Sequence, residues 1–146
     1  MAASNSDLGV IRATKVLIVD DNATFRQSFR ESLRKVCPSI DIQEAEDGNK
    51  CLGKVGIFRP DLIFMDIRLP GENGLSLTKK IKEKYPEIQV ITISSFDNPE
   101  YRDTSLKYGA SRFYSKDSLN PEEIRVFITS ISSGNPRSPE PSQSAG

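Results

Sequence analysis

The stretch Asp61-Leu62-Ile63-Phe64-Met65-Asp66 is an apolar run closed at each end by a carboxylate. A run this short, continuous rather than alternating, is the pattern of a strand covered on both faces of a parallel sheet. Three other segments share the design. Lys15-Val16-Leu17-Ile18-Val19 runs into Asp20-Asp21, Val90-Ile91-Thr92-Ile93 into Ser94, and Phe113-Tyr114-Ser115 into Lys116. Parallel strands that end in polar groups at one edge make a site, because ligands sit outside the carboxyl ends of such strands.

The segments between these runs have helical spacing. Residues 22–36 place Phe25, Phe29, Leu33 and Val36 three and four apart, one apolar stripe that Pro38 stops. Ile40, Ile42 and Ala45 give a weaker second strand, and Asp47-Gly48 then opens a helix predicted to carry Leu52, Val55 and Phe58 inward. Pro70-Gly71 and Asn73-Gly74 mark a loop whose glycines relax the backbone. A helix with Leu75, Leu77 and Ile81 follows, ending near Tyr85-Pro86, and residues 88–93 form the fourth strand. Asn98-Pro99 and Asn120-Pro121 are cap-plus-proline starts of two more helices, the first ending at Gly109, the second burying Ile124, Phe127, Ile128 and Ile131. Five strands alternating with five helices imply an α/β, doubly wound, five-stranded parallel sheet, since parallel neighbours need right-handed helical crossovers.

Composition narrows the chemistry. The 146 residues suit one domain, and Lys+Arg balance Asp+Glu at 20 each, so nucleic-acid binding and membrane-surface binding have no electrostatic footprint. With no histidine, the chain can hold neither a Ser-His-Asp triad nor imidazole-ligated zinc, nor can it carry phospho-histidine. Cys37 and Cys51 match no metal spacing and read as reduced packing residues of a cytoplasmic protein. No signal peptide and no membrane span is expected. The folded unit is expected over residues 14–132, with a flexible N-terminus over 1–13 and a Ser/Pro-rich disordered tail or linker over 133–146.

Taken singly, the polar strand ends have plain explanations: Asp21 or Asn22 caps a helix, and Asp66 ends a strand. Together they do not. Carboxylates about 4 Å apart repel by roughly 4 kcal/mol per pair at an effective dielectric of about 20, so a cluster of Asp20, Asp21 and Asp66 requires a cation or raised pKa values. Magnesium suits such an oxygen site, because it keeps several waters and shares phosphate oxygens. Ser94 and Lys116 add a hydroxyl and an ammonium to the same edge.

These residues carry a resemblance. Val-Asp-Asp-Asn (19–22), Glu-Ala-Glu-Asp-Gly (44–48), Asp-Leu-Ile-Phe-Met-Asp-Ile-Arg-Leu-Pro-Gly-Glu-Asn-Gly-Leu (61–75), Ile-Thr-Ile-Ser-Ser (91–95) and Gly-Ala-Ser-Arg-Phe-Tyr-Ser-Lys-Asp (109–117) closely resemble the receiver domain of two-component response regulators. The resemblance covers about residues 14–132. It implies a flavodoxin-like sheet of order 2-1-3-4-5 and a signalling phosphoacceptor rather than an enzyme, acting only on itself. Asp66 resembles the phosphoacceptor, a nucleophile toward the phospho-histidine of a sensor histidine kinase. Asp20, Asp21 and Asp66 resemble the Mg2+ site, completed by the backbone carbonyl of Arg68, with Asp21 and Asp66 as direct ligands and Asp20 acting through water. Lys116 would pair with phosphoryl oxygens and Ser94 would hydrogen-bond them, which makes Asp66, Lys116 and Ser94 the catalytic set. Ser94 and Phe113 resemble the switch pair. The readout would be the fourth helix, fifth strand and fifth helix, with Tyr101, Arg102, Leu106, Tyr108 and Arg112 lining a face for a homodimer or a downstream protein.

Several positions depart from the commonest pattern. Serine and phenylalanine at 94 and 113 replace the more usual threonine and tyrosine, so packing alone would fix the inward state of Phe113. Asp117 follows Lys116 where many receivers carry proline, so no cis bond is expected there, and this version resembles receivers of nitrate-response-type transcription regulators. Arg68 and Phe96 lie two residues past Asp66 and Ser94, where they are expected to hinder the hydrolytic water. Only a short polar tail follows Ile131, so the chain reads as a stand-alone receiver or as one cut from a longer DNA-binding regulator. An aspartate-nucleophile phosphatase is the enzyme alternative; it wants a second aspartate two residues past the nucleophile, where Arg68 stands.

Overall fold

The computed structural model describes residues 13–132. The N-terminal arm expected over 1–13, apart from Ala13, and the tail expected over 133–146 lie outside the described residues. Five strands form one parallel sheet: β1 (Lys15–Val19), β2 (Asp41–Ala45), β3 (Leu62–Asp66), β4 (Gln89–Ser94) and β5 (Arg112–Ser115), in the spatial order β2-β1-β3-β4-β5. Helices α1 (Ala23–Val36), α2 (Gly48–Phe58), α3 (Gly74–Lys84), α4 (Pro99–Lys107) and α5 (Pro121–Ser132) make the crossovers and the C-terminal element. The doubly wound order 2-1-3-4-5 is the one expected, and element bounds fall within one or two residues of the sequence reading.

The apolar runs divide their side chains between two cores, because successive residues of a strand point to opposite faces. Val16, Ile18, Leu62, Phe64, Ile91 and Ile93 pack under α1 and α5 against Phe29, Leu33, Ile124, Phe127 and Ile128. Leu17, Val19, Ile63, Met65 and Val90 pack under α2 and α3 against Cys51, Val55, Leu77 and Ile81. Both cysteines are free and buried. One predicted core residue is misplaced. The inward stripe of α2 is Gly48, Cys51, Val55 and Phe58, while Leu52 is 39% exposed. Cys51 sits one turn before Val55 on the buried side, so its small thiol, not the larger Leu52, meets the sheet.

Gly71 adopts φ +80°, as a loop glycine should. Gly74 differs from expectation: it opens α3 with no positive φ, and a Cβ there would lie 2.1 Å from the backbone oxygen of Asp66. Its role is close approach, since the helix starts against the end of β3. No cis peptide bond occurs among the described residues.

Phe64 is fully buried and meets Phe29 edge-on, with centroids 4.8 Å apart. Phe64→Ala leaves a cavity between β3 and α1, and we expect it to lower unfolding free energy by about 3–5 kcal/mol in urea titrations. A loss below about 1 kcal/mol would contradict this packing.

Candidate functional site

Pairing register brings the polar ends together. Val19 stands beside Met65 and Ala45, Asp66 beside Ile93, and Ser94 beside Ser115, so Asp20, Asp66, Ser94 and Lys116 all fall at one edge of the sheet. The β1–α1 turn is then built by hydrogen bonds. Asp20 N–H donates to Ala45 O at 3.1 Å, and Asp20 Oδ1 accepts the Asn22 N–H at 2.8 Å. Asn22 is the N-cap of α1, its Oδ1 accepting the Phe25 N–H at 3.0 Å, which leaves the exposed Asp21 carboxylate outside that cap.

A guanidinium locks the turn from the helix side. Arg26 donates from one terminal nitrogen to Asp20 O at 2.6 Å and from Nε to Glu44 Oε1 at 2.7 Å, while Arg30 holds Glu44 Oε2 at 2.8 Å. Burial pushes the Glu44 carboxyl up, but the two guanidinium partners outweigh it and hold its pKa below the usual value. Sequence reading did not find this bracket. Glu44 opens the Glu-Ala-Glu-Asp-Gly segment, yet nothing in one dimension shows that strand β2 faces Arg26.

Asp66 ends β3 at 4% exposure, and carboxylate oxygens of Asp20, Asp21 and Asp66 lie within 4.8 Å of one another. Burial pushes the Asp66 carboxyl up to about 6, with the Asp20 charge adding to the rise and Lys116 opposing it. The Arg68 N–H reaches Asp66 Oδ1 at 3.3 Å. Lys116, at the start of a short 3-10 turn, places Nζ 2.7 Å from Asp20 Oδ2 and 4.3 Å from the Phe25 ring centroid. Asp20 Oδ2 is buried, and this ammonium is its charged partner.

Ser94 is fully buried at the end of β4, its Oγ accepting the Phe96 N–H at 3.1 Å. Phe96 is 54% exposed, and the Arg68 guanidinium lies 5.1 Å from its centroid. The two residues expected to flank Asp66 and Ser94 therefore touch each other. They line a groove of about 540 Å³ with Asp97, Asn98, Pro99 and Tyr101. Phe113 is buried in β5, with the Arg102 guanidinium 5.0 Å from its ring.

The structure divides the face expected from α4, β5 and α5. Arg102, Leu106 and Arg112 line one groove with Phe113 and Glu123. Tyr101 instead lines the grooves beside Arg68, and Tyr108 packs under Lys79 of α3 at 5.3 Å. Positions 101 and 102 of α4 point about 100° apart around the helix, so the two side chains line different grooves.

The donor set fits a hard divalent cation. Three carboxylates converge, two of them buried, and one ammonium offsets only part of their charge. The acidic pocket can hold a metal ion.

With fold, strand order and edge chemistry in place, kinship can be assigned. A family model described as "Response regulator receiver domain" matches residues 16–129, and the chain belongs to that family. The chain is 36% identical over 116 residues to the oxygen regulatory protein NreC of Staphylococcus epidermidis, covering 79% of this chain and 53% of that protein. It is 31% identical over 103 residues to the transcriptional regulatory protein DegU of Brevibacillus brevis, covering 70% and 44%. It thus spans about half the length of the curated relatives it matches. Among solved structures, the receiver domain of the response regulator NarL from Mycobacterium tuberculosis superposes with TM-score 0.74 at 27% identity, over 84% of this chain and 98% of that one. A CheY-like receiver from Methanospirillum hungatei shares the fold, with TM-score 0.74 at 24% identity, over 84% and 96%. No helix among the described residues is long and apolar enough to cross a membrane.

The raised pKa of Asp66 has a stability consequence. Between the ordinary value of 3.8 and about 6, the folded state binds more protons than the unfolded state. Stability from this group is therefore full below about pH 4 and is lost as pH rises through about 6. At roughly 1.4 kcal/mol per unit the loss is about 2–3 kcal/mol. Asp66→Asn should flatten this slope and, without divalent cations, be about 1–3 kcal/mol more stable than the parent at pH 7.5. Denaturant titrations at pH 4 and pH 7.5 measure the difference, and equal shifts at both pH values would contradict it.

Proposed function

We propose that the chain is a phosphorelay receiver that accepts a phosphoryl group on Asp66 from the phospho-histidine of a sensor histidine kinase, in a Mg2+-dependent reaction. The observation that carries this reading is the convergence of three carboxylates and Lys116 at one sheet edge, around an Asp66 that ends a buried strand. Family membership supports it.

The chain's part in the reaction is positioning and charge neutralisation. An Asp66 carboxylate oxygen attacks phosphorus as the phosphorus–nitrogen bond to the donor imidazole breaks, leaving an aspartyl phosphate and a histidine. Asp21 and Asp66, with the backbone carbonyl of Arg68, would hold Mg2+ directly. Asp20 acts through water, in keeping with an Oδ1 already bonded to Asn22 and an Oδ2 paired with Lys116. When bound, the ion neutralises charge on the carboxylates and on the incoming phosphoryl oxygens. Lys116 then turns from Asp20 to those oxygens as a compact point charge. Ser94 Oγ, which accepts the Phe96 N–H, turns to donate its own hydroxyl proton to a phosphoryl oxygen, and Phe113 repacks behind it.

The product carries about −1.5 to −2 charges where one carboxylate stood. The readout is a population shift at the Arg102, Leu106 and Arg112 groove, read by a second copy or an output module. DegU is a transcriptional regulatory protein and both relatives are longer than this chain, which supports an output in transcription control.

Incubation with acetyl phosphate and Mg2+ followed by intact mass should add one phosphoryl group, absent in Asp66→Asn and absent with chelator. No labelling of the parent would end this reading. Arg68 and Phe96 touch each other two residues past Asp66 and Ser94, where a bulky pair hinders a hydrolytic water, so we expect a long-lived phosphorylated state. Phe96→Ala should speed aspartyl-phosphate decay about 3–10-fold, the range of a lost contact worth roughly 1 kcal/mol. An unchanged half-life would remove the pair from this role.

A further inference from the structure

We propose that Phe25 is a positioning residue for the phosphoryl site, holding the Lys116 ammonium over the acidic edge through the face of its ring. Lys116 Nζ lies 4.3 Å from the Phe25 centroid, the shortest cation–ring contact among the described residues; the next is 4.9 Å. The same ammonium is 2.7 Å from Asp20 Oδ2. It is therefore held from two sides, by a carboxylate below and by the negative face of a ring alongside.

The ring is itself braced. Phe25 stacks on Phe29 at 5.5 Å with an interplanar angle of 21°, and Phe29 meets Phe64 edge-on at 4.8 Å. Phe29 and Phe64 belong to the core, and Phe64 lies two residues before Asp66 on β3. An aromatic ladder thus runs from the interior of the sheet to the ammonium. The backbone N–H of Phe25 is bonded to the side chain of Asn22, so the cap that ends the acidic turn also sets the place of the ring. As a member of the stripe of α1, Phe25 would need only to be apolar; contact with Lys116 gives a reason for it to be aromatic.

Lysine has a long flexible stem, and ordering it during the reaction costs entropy. A ring that keeps the ammonium near its working place removes part of that cost beforehand. Leucine at position 25 keeps an apolar side chain on Phe29 but has no quadrupole, whereas tyrosine keeps the ring.

This inference rests on the phosphoacceptor reading for its kinetic consequence, but not for its structural one. In the full chain, NMR should show the Lys116 ε-methylene protons shifted upfield by the Phe25 ring, a shift lost in Phe25→Leu and kept in Phe25→Tyr. Labelling by acetyl phosphate and Mg2+ should slow about 5–10-fold in Phe25→Leu and recover most of that loss in Phe25→Tyr, in line with the range of cation–ring attraction. In a Lys116→Ala background, Phe25→Leu should have no further effect, which a purely structural role would not produce. The proposal is overturned by a missing ring shift in the parent, by equal slowing with and without Lys116, by tyrosine failing to restore the rate, or by unchanged or faster labelling in Phe25→Leu. A parent that takes no phosphoryl group while showing the ring shift would overturn the phosphoacceptor reading and the kinetic role together, leaving only the contact.

Discussion

Everything at the carboxyl edge depends on like charges being held together by an apolar sheet. Asp20 and Asp66 are almost wholly shielded from water, each one residue beyond a run of fully buried side chains. The two cores under α1/α5 and α2/α3 fix those strands in register, and the carboxylates have no freedom to separate. Their repulsion is stored by the hydrophobic packing below and eased by one ammonium. A site of this kind has a standing demand for positive charge, which a metal ion can meet.

The polar scaffolding around the cluster keeps it in place without neutralising it. Arg26 bonds the carbonyl of Asp20, not its carboxylate, and pairs with Glu44 instead. Gly74 lets α3 begin directly against the Asp66 carbonyl. The contrast is α4. Its one buried residue is Ser105, tied to β4 by a 2.8 Å hydroxyl bond from Thr92. This helix buries little apolar surface, and it lies directly after the loop carrying Phe96.

Much of this was legible in the primary structure because the strands are short, continuous and apolar. Their length and the polar residues that end them announce a parallel sheet with a site at its carboxyl edge. Helix caps at Asn22 and Asn98 were equally readable, since an amide before a helical stripe has a local job, whereas Asn73, read as part of a loop, proves to cap α3. Leu52 was misread because hydrophobicity alone does not say which of two adjacent apolar residues faces the sheet. Gly74 was read as a loop glycine because its true neighbour, the Asp66 carbonyl, is eight residues away.

The chain by itself thus determined the order of elements, the identity of the acidic, hydroxyl and ammonium groups, and the edge where they would meet. Those depend on local periodicity and on strand ends, which are short-range properties. Tertiary structure decided which partner each group takes: Lys116 on Asp20 and Phe25, Arg26 between Asp20 and Glu44, Arg68 against Phe96. Such pairings join residues far apart in the chain, and their distances follow from sheet register and helix packing, which no local pattern encodes.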